Sequence, residues 1–325
     1  MTKITLEDQT FHCAPGQSVL DVFLENGVAI PFGCRQGVCQ SCRLRSIDEI
    51  PPSAAQSGLK DTLRKQKHFL ACQCYPDRDM MVSRVDIIRN FHEGTVVGTG
   101  LLNRNTMRLL IDCPQISNFY AGQFVNIQRN DGLTRSYSIA GNHEDSTTLE
   151  FHIRRLPGGR FTPWLHDEIQ PGDNLRVSEP QGLCFYLPER KEQGLLLVGT
   201  GSGLAPLSGI LDDAIRNGHT GPIHLFHGSR TAEDLYLVAE FRELAQQHRN
   251  FNYVPCISGT DVPPGYTRGR VNEIVVTNMK DLNDWTVYLC GHPGMVDQMK
   301  MAAFMKGASV ANIYCDAFFV DQSMA

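Results

Sequence analysis

The rhythm of apolar and polar positions changes twice along this chain. Up to about residue 90 two periods are mixed. Ile4 and Leu6 alternate with polar neighbours as in a strand, and Pro15-Gly16 marks a turn. Val19, Leu20, Val22, Phe23 and Leu24 follow Ser18, a good helix cap, and Asn26-Gly27 stops that helix. Pro51-Pro52 breaks the chain again, and 57–67 is a short helical candidate. From about 91 to 188 the period is two. Strands are predicted over 95–101, 107–112, 124–129, 135–140, 149–154 and 174–178. Asn103, Asn130-Asp131-Gly132, Gly141-Asn142 and Pro171-Gly172 separate them. After 189, short apolar runs at 195–198, 223–226, 253–257 and 287–289 alternate with helical patterns at 204–216, 232–247 and 295–304.

These rhythms predict three domains. Residues 1–90, with strands and one main helix, suit a β-grasp. Residues 91–188 suit a six-stranded antiparallel β-barrel. Residues 189–325 alternate strand and helix, which implies crossovers and a parallel sheet in an α/β domain. A chain of 325 residues and 36.3 kDa has room for this, and 42% hydrophobic with 20% charged residues is ordinary globular composition. The net charge of −5 and the lack of a basic tract point away from nucleic acid. The polar N-terminus lacks a signal-peptide core, and no run of eighteen apolar residues predicts a membrane span. Eleven cysteines, an odd number in a large chain, argue against a disulfide framework, so a reducing cytoplasm is expected.

Four of those cysteines carry chemistry. Cys34, Cys39 and Cys42 follow C-x4-C-x2-C, and Cys72 lies thirty residues further on. This is the plant-type [2Fe–2S] spacing. Gly33 and Gly37 suit a loop wrapped tightly around metal. Buried structural cysteines and a zinc site are competing readings, and the single long gap fits zinc less well. Cys74 competes with Cys72, although the plant-type gap favours Cys72.

Two glycine clusters fall in the last segment. Gly199-Thr-Gly201-Ser-Gly203 joins a strand to a helix, where backbone amides can approach a pyrophosphate. It departs from G-x-G-x-x-G, and a tight structural turn is the alternative. Cys290-Gly-His-Pro-Gly-Met295 ends another strand, so Cys290 is expected to face the same crevice or to be a buried core thiol. In the barrel segment, alternation puts Arg135 and Tyr137 on one strand face and Ser136 and Ser138 on the other. Arginine suits phosphate, an aromatic ring suits a flat heterocycle, and a hydroxyl suits a ring nitrogen. An exposed strand with core serines fits as well. Leu156-Pro-Gly-Gly-Arg-Phe161-Thr162 is a further glycine turn ahead of a short helix over 163–167.

Taken in this order, the motifs resemble the iron–sulfur flavoprotein reductases of bacterial multicomponent oxygenases. These fuse a plant-type ferredoxin domain to a ferredoxin–NADP⁺ reductase-like module. The resemblance spans essentially the whole chain and includes the ending Tyr314-Cys-Asp316-Ala-Phe318-Phe319. It implies a [2Fe–2S] ferredoxin domain, a flavin barrel and a nicotinamide domain. Arg135 would bind the flavin phosphate, Tyr137 would pack on the isoalloxazine, and Ser138 would bond near N5. Gly159, Phe161 and Thr162 would hold the diphosphate, and the domain order implies FAD over FMN. Gly199, Gly201 and Gly203 would carry the dinucleotide pyrophosphate, Cys290 would sit by the nicotinamide, and Phe318 would cover the flavin. Ser138, Cys290 and Phe318 thus form the expected catalytic group.

The implied reaction takes a hydride from NADH to FAD and sends single electrons through the cluster to an external acceptor, expected to be an oxygenase component. A deoxysugar or radical-pathway acceptor, or a low-turnover redox sensor, is the alternative. Gly228-Ser229-Arg230 could receive a 2′-phosphate, so NADPH is possible, whereas Glu233 and Asp234 favour NADH. The first 90 residues hold eleven Lys and Arg against ten Asp and Glu, with no acidic face evident. Arg35, Arg43 and Arg45 flank the cysteines and are expected either to dock an acidic acceptor or to form a solvated loop face. Oligomeric state has no signature in the sequence.

Overall fold

The computed structural model describes residues 2–32, 34–37, 39–85, 91–142 and 147–319. The chain divides into two compact units, Met1–Ile88 and Arg89–Ala325.

In the first unit, β1 (Thr2–Leu6) and β2 (Gln9–Cys13) form a hairpin. Helix α1 (Val19–Glu25) buries Val19, Leu20, Val22 and Phe23. Its cap is reciprocal: Ser18 Oγ accepts from the Asp21 amide at 3.2 Å and donates to the Asp21 carboxylate at 2.6 Å. Strands β3 (Arg43–Ser46), β4 (His68–Leu70) and β5 (Met80–Arg84) complete a sheet of order β2-β1-β5-β3-β4. Only the β1–β5 pair is parallel. This mixed sheet with a helix across it is the expected β-grasp. The predicted helix at 57–67 is shorter, α2 (Asp61–Lys65), preceded by a 3₁₀ turn over Ser53–Gln56.

The second unit starts with a closed antiparallel barrel. Its strands are β6 (Phe91–Leu101), β7 (Thr106–Asp112), β8 (Phe124–Gln128), β9 (Thr134–Asn142), β10 (Thr148–Arg154) and β11 (Asn174–Ser178), in the order β10-β7-β6-β11-β8-β9. Inward residues such as Leu109, Ile111, Val125, Ile127, Ile139, Phe151 and Val177 fill it completely. Helix α3 (Thr162–Asp167) packs Leu165 and, more loosely, Trp164 against that core.

A parallel sheet follows, with β12 (Gly194–Thr200), β13 (Ile223–Ser229), β14 (Phe251–Ile257), β15 (Thr267–Arg268), β16 (Trp285–Gly291) and β17 (Ile313–Ala317). The order is β15-β14-β13-β12-β16-β17. Alternation along β12 sends Leu195 and Leu197 to a core with α4 (Leu204–Arg216) and α5 (Val238–Gln247). Leu196 and Val198 face α6 (Val271–Asn278) and α7 (Pro293–Met305) on the other side. The chain leaves β12 in one direction and returns to its other edge at β16. That reversal places a crevice at the carboxyl ends of these two strands.

Barrel and sheet meet closely. A Cβ on Gly209 of α4 would lie 2.6 Å from the Ala121 Cβ and 2.8 Å from the Ala140 carbonyl oxygen. Tyr120 stacks on Phe185 with centroids 4.4 Å apart. Arg104, at the β6–β7 turn, pairs with Asp234 at 2.7 Å.

Candidate functional site

The cysteines come together as two pairs. The Cys39 amide donates to Cys34 Sγ at 3.3 Å, and the Cys34 amide donates to Cys39 Sγ at 3.4 Å. Gln36 N also donates to Cys34 Sγ at 3.3 Å. The bond from the Cys34 amide, with those from Ser41, pulls the exposed Cys39 thiol down to about 6, so it is readily a thiolate. Cys42 and Cys72 form a second, buried pair. Burial pushes Cys42 up to about 11. Among the described residues no three ligating groups surround one point. A zinc site needs its thiolates around a single ion. In a two-iron cluster each four-coordinate iron shares two sulfides and needs only two thiolates. The paired arrangement fits the cluster. Cys74 faces inward, 4.0 Å from Met80 Sδ, with its thiol raised by burial to about 12, as suits a core residue.

Arg43 lies half-buried on β3, whereas Arg45 is exposed. Arg35 stacks over Phe32 at 4.9 Å and approaches Asp21 at 3.5 Å. The expected patch of three open arginines is thus reduced to two.

In the second unit a cavity of about 1300 Å³ runs between the barrel wall and the carboxyl ends of the sheet. It exceeds the roughly 300–1,000 Å³ of common small-ligand pockets, and so has room for a flavin and part of a dinucleotide. Arg135, Tyr137 and Ser138 all border it. The half-buried Tyr137 ring is tilted against Phe161, centroids 5.9 Å apart. Ser136 also reaches the cavity, with its hydroxyl donating to Asn126 Oδ1 at 2.7 Å. Gly159, Phe161 and Thr162 form a turn at the same wall. Phe161 is only 2% exposed, so its side chain mainly supports the barrel core. Thr162 Oγ1 already accepts from the Leu156 amide at 2.9 Å, which shapes the turn.

The three loop glycines answer different needs. A Cβ on Gly199 would lie 2.7 Å from Leu207 Cδ1, and one on Gly203 would lie 2.3 Å from the Cys290 carbonyl oxygen. Both permit packing, and neither lines the cavity. Gly201 does line it, with φ +56° and open space around it except for Arg154 Nη1 at 3.5 Å. Of the three glycines expected at a pyrophosphate, only Gly201 borders the cavity, together with its neighbours Thr200 and Ser202.

Across the ends of four adjacent strands, His227, Gly199, Cys290 and Asp316 stand in register. Cys290 is fully buried beside Cys184, and burial first, then that neighbour, pushes its thiol well up. Its side chain belongs to the core, so the crevice-facing position expected for it is corrected. Asp316, the neighbour of Cys290 on β17, borders the cavity instead. Ser138 Oγ donates to Asp316 Oδ2 at 2.8 Å, joining barrel to sheet. Burial raises the Asp316 carboxyl, and the Ser138 bond opposes this less strongly. Phe318 borders the cavity just beyond, its amide bonded to the Gly291 carbonyl at 2.8 Å. Ser229 and Arg230 also border it, as does Arg270. Asp234 borders the cavity as well, its carboxylate engaged by Arg104, Asn105 and Thr231.

Paired cluster thiols, a flavin-sized barrel wall and an α/β crevice define an iron–sulfur flavoprotein oxidoreductase. Three domain families match in the same order: "2Fe-2S iron-sulfur cluster binding domain" over residues 3–77, "Oxidoreductase FAD-binding domain" over 93–186 and "Oxidoreductase NAD-binding domain" over 197–301. The chain is 33% identical over 315 residues to the ferredoxin–NAD(P)⁺ reductase component of a Pseudomonas putida naphthalene 1,2-dioxygenase system, covering 94% of each. It is 35% identical to the reductase subunit of an Amycolatopsis aromatic O-demethylase, covering 94% of this chain and 95% of that one. The crystal structure of an Amycolatopsis cytochrome P450 reductase superposes with a TM-score of 0.67 at 30% identity, covering 98% of this chain and 99% of that one. The chain belongs to the family of ferredoxin–NAD(P)⁺ reductase components. It is an NAD(P)H-dependent oxidoreductase using FAD and a [2Fe–2S] cluster. Among the described residues no helix is long and apolar enough to cross a membrane.

Proposed function

We propose that this reductase delivers electrons from NADH to the terminal component of an oxygenase. FAD, when bound, accepts a hydride and releases electrons singly, which links a two-electron donor to a one-electron cluster. The protein's part is to bind, orient and shield. Cys34 with Cys39 and Cys42 with Cys72 are assigned as the cluster ligands. Arg135 is assigned to flavin phosphate, Tyr137 to the flavin ring, and the turn at Gly159, Phe161 and Thr162 to the diphosphate. Gly201, with Gly199 and Gly203 shaping its turn, is assigned to the nicotinamide dinucleotide. Ser138 holds a proton against Asp316, Phe318 covers the cavity, and Cys290 positions the loop glycine through its backbone. The domains of this reading are 1–90, 91–188 and 189–325. A reducing cytoplasm suits eleven free thiols.

The observation that carries the reading is the one cavity bordered both by the barrel's Arg135, Tyr137 and Ser138 and by the sheet's Gly201 and Phe318. The relatives named as components of naphthalene dioxygenase and O-demethylase systems support an oxygenase as acceptor. Steady-state assays should show rapid NADH oxidation with ferricyanide and cytochrome c. Negligible turnover with both would instead favour a sensor. Because Ser229, Arg230 and Arg270 border the cavity, the same assay should compare kcat/KM for NADH and NADPH. A higher value for NADPH would overturn the donor assignment. Reconstitution with an oxygenase encoded beside this chain's gene should restore substrate hydroxylation, and failure there would point to another acceptor.

A further inference from the structure

His227 sits on β13, beside Gly199 of β12, directly below the glycine turn. It is fully buried. Its Nδ1 lies 3.4 Å from the Tyr253 hydroxyl. A tyrosine hydroxyl can donate to that nitrogen, and the proton of a neutral ring then resides on Nε2. Among the described residues Nε2 makes no hydrogen bond of normal geometry. The Gly201 backbone nevertheless lies near enough to favour protonation of the ring. Burial outweighs this and holds His227 down to about 3, so it is a neutral donor at any ordinary pH.

The ring cannot turn away easily. The Tyr236 ring packs edge-on against it, centroids 5.6 Å apart, and against His152 on its other side at 5.3 Å. Tyr236 OH lies 3.3 Å from His152 Nδ1, and His152 Nε2 lies 3.0 Å from Glu150 Oε1. Glu150 is paired with Arg108 at 2.9 Å. A buried, oriented donor that makes no full hydrogen bond costs free energy. Such a cost is tolerable where ligand binding completes the bond.

We infer that His227 is a positioning residue for the nicotinamide dinucleotide, its Nε2–H held ready for the Gly201 carbonyl so that the turn settles with its amides toward the pyrophosphate. This rests on the assignment of Gly201 to the dinucleotide. The Gly201 φ of +56° leaves the turn free to make such a small adjustment. The row of contacts from Arg108 to His152 serves to fix Tyr236, and Tyr236 in turn fixes the imidazole plane.

The test is calorimetric binding of NAD⁺, ADP-ribose and 5′-AMP to the oxidised holoenzyme. His227→Phe keeps the ring and removes the donor, whereas His227→Gln can return an amide N–H near Nε2. His227→Phe should weaken NAD⁺ and ADP-ribose by about tenfold, the effect of roughly one hydrogen bond. His227→Gln should recover most of that loss, and 5′-AMP, which lacks the pyrophosphate, should be nearly unaffected. Retention of FAD and of the melting temperature identifies the effect as local. Equal affinity of both variants and wild type for ADP-ribose overturns the inference, as does equal weakening of 5′-AMP. If His227→Phe does not retain FAD, Tyr253→Phe decides. Loss of the hydroxyl that sets the tautomer should weaken ADP-ribose, and unchanged affinity overturns the inference. Wild-type protein that binds neither NAD⁺ nor ADP-ribose would instead refute the dinucleotide assignment.

Discussion

An alanine at 203 would bring its Cβ within 2.3 Å of the Cys290 carbonyl and 2.7 Å of the Gly291 Cα, both backbone atoms that cannot swing aside. Gly203→Ala should therefore destabilise the second unit by about 1–3 kcal/mol or prevent its folding, as chemical denaturation will show. Gly201→Ala meets no such wall and faces only the left-handed backbone cost of about 1–2 kcal/mol. It should fold, keep FAD and raise the KM for NADH. The sequence displayed both glycines in one motif, but only the fold distinguishes the packing glycine from the open one. Cys290 and Asp316 were hard to read for a similar reason. They are direct neighbours across β16 and β17 and so share one face of the sheet; what separates them is that Cys290 is packed into the core beside Cys184, whereas Asp316, on the last paired positions of β17, borders the cavity. Asp316 also allows a pH test. Its carboxyl is raised by burial, so the fold favours the protonated form. That contribution is complete below the ordinary Asp value of 3.8 and is lost as pH rises through the raised one. Asp316→Asn should accordingly raise the melting temperature at neutral pH, with the gain vanishing in acid, while slowing NADH oxidation. The cluster assignment is checked by iron content: Cys72→Ser should lose iron and the cluster's share of the visible absorbance while keeping the flavin bands, and Cys74→Ser should retain all of them.

At the scale of elements, the barrel was legible almost strand for strand, because short runs with inward apolar residues are separated by turn residues, even though bulges at Val96/Gly98 and Glu150/Phe151 interrupt the two-residue period. The helix expected over 232–247 begins only at Val238. Leu237 takes a left-handed conformation at φ 57°, which turns Leu235 and Tyr236 into the core beside His227. Apolar spacing alone could not show that turn. Strand β15 has two residues, and α6 lacks a side-chain cap, so neither left a signal. The β6–β7 turn reaches across to the 3₁₀ turn before α5, where Asn103 Nδ2 donates to the Asp234 carbonyl at 2.9 Å and Arg104 grips its carboxylate. Arg104 is largely exposed, so solvent screening makes Arg104→Ala cost little. Asp234→Ala also leaves Asn105 and Thr231 without their acceptor and should cost about 1–3 kcal/mol. Paired thermal melts will rank the two.

For the molecule as a whole, the sequence disclosed the order of its parts because each has a different period, sustained over many residues. The acceptor left no such trace, since docking surfaces need only a few exposed side chains. Arg35 and Arg45 are the exposed cations near the cluster loop. Reversing both to Glu should slow electron transfer to an acidic acceptor and flatten its salt dependence, while reduction of the bound flavin by NADH stays unchanged. An unaltered salt response would assign them to solvation alone. Phe318, standing at the cavity mouth on the end of β17, has a wider consequence. A reductase waits in its charged state whenever its acceptor is occupied, and dioxygen is always present to an oxygenase system. In the proposed assignment, with the ring over the flavin, it would act as a seal against wasteful reduction of dioxygen. Trimming it, as in Phe318→Ser, should turn part of each NADH into hydrogen peroxide, so one aromatic side chain would set how tightly the cell's fuel is coupled to its oxidised product.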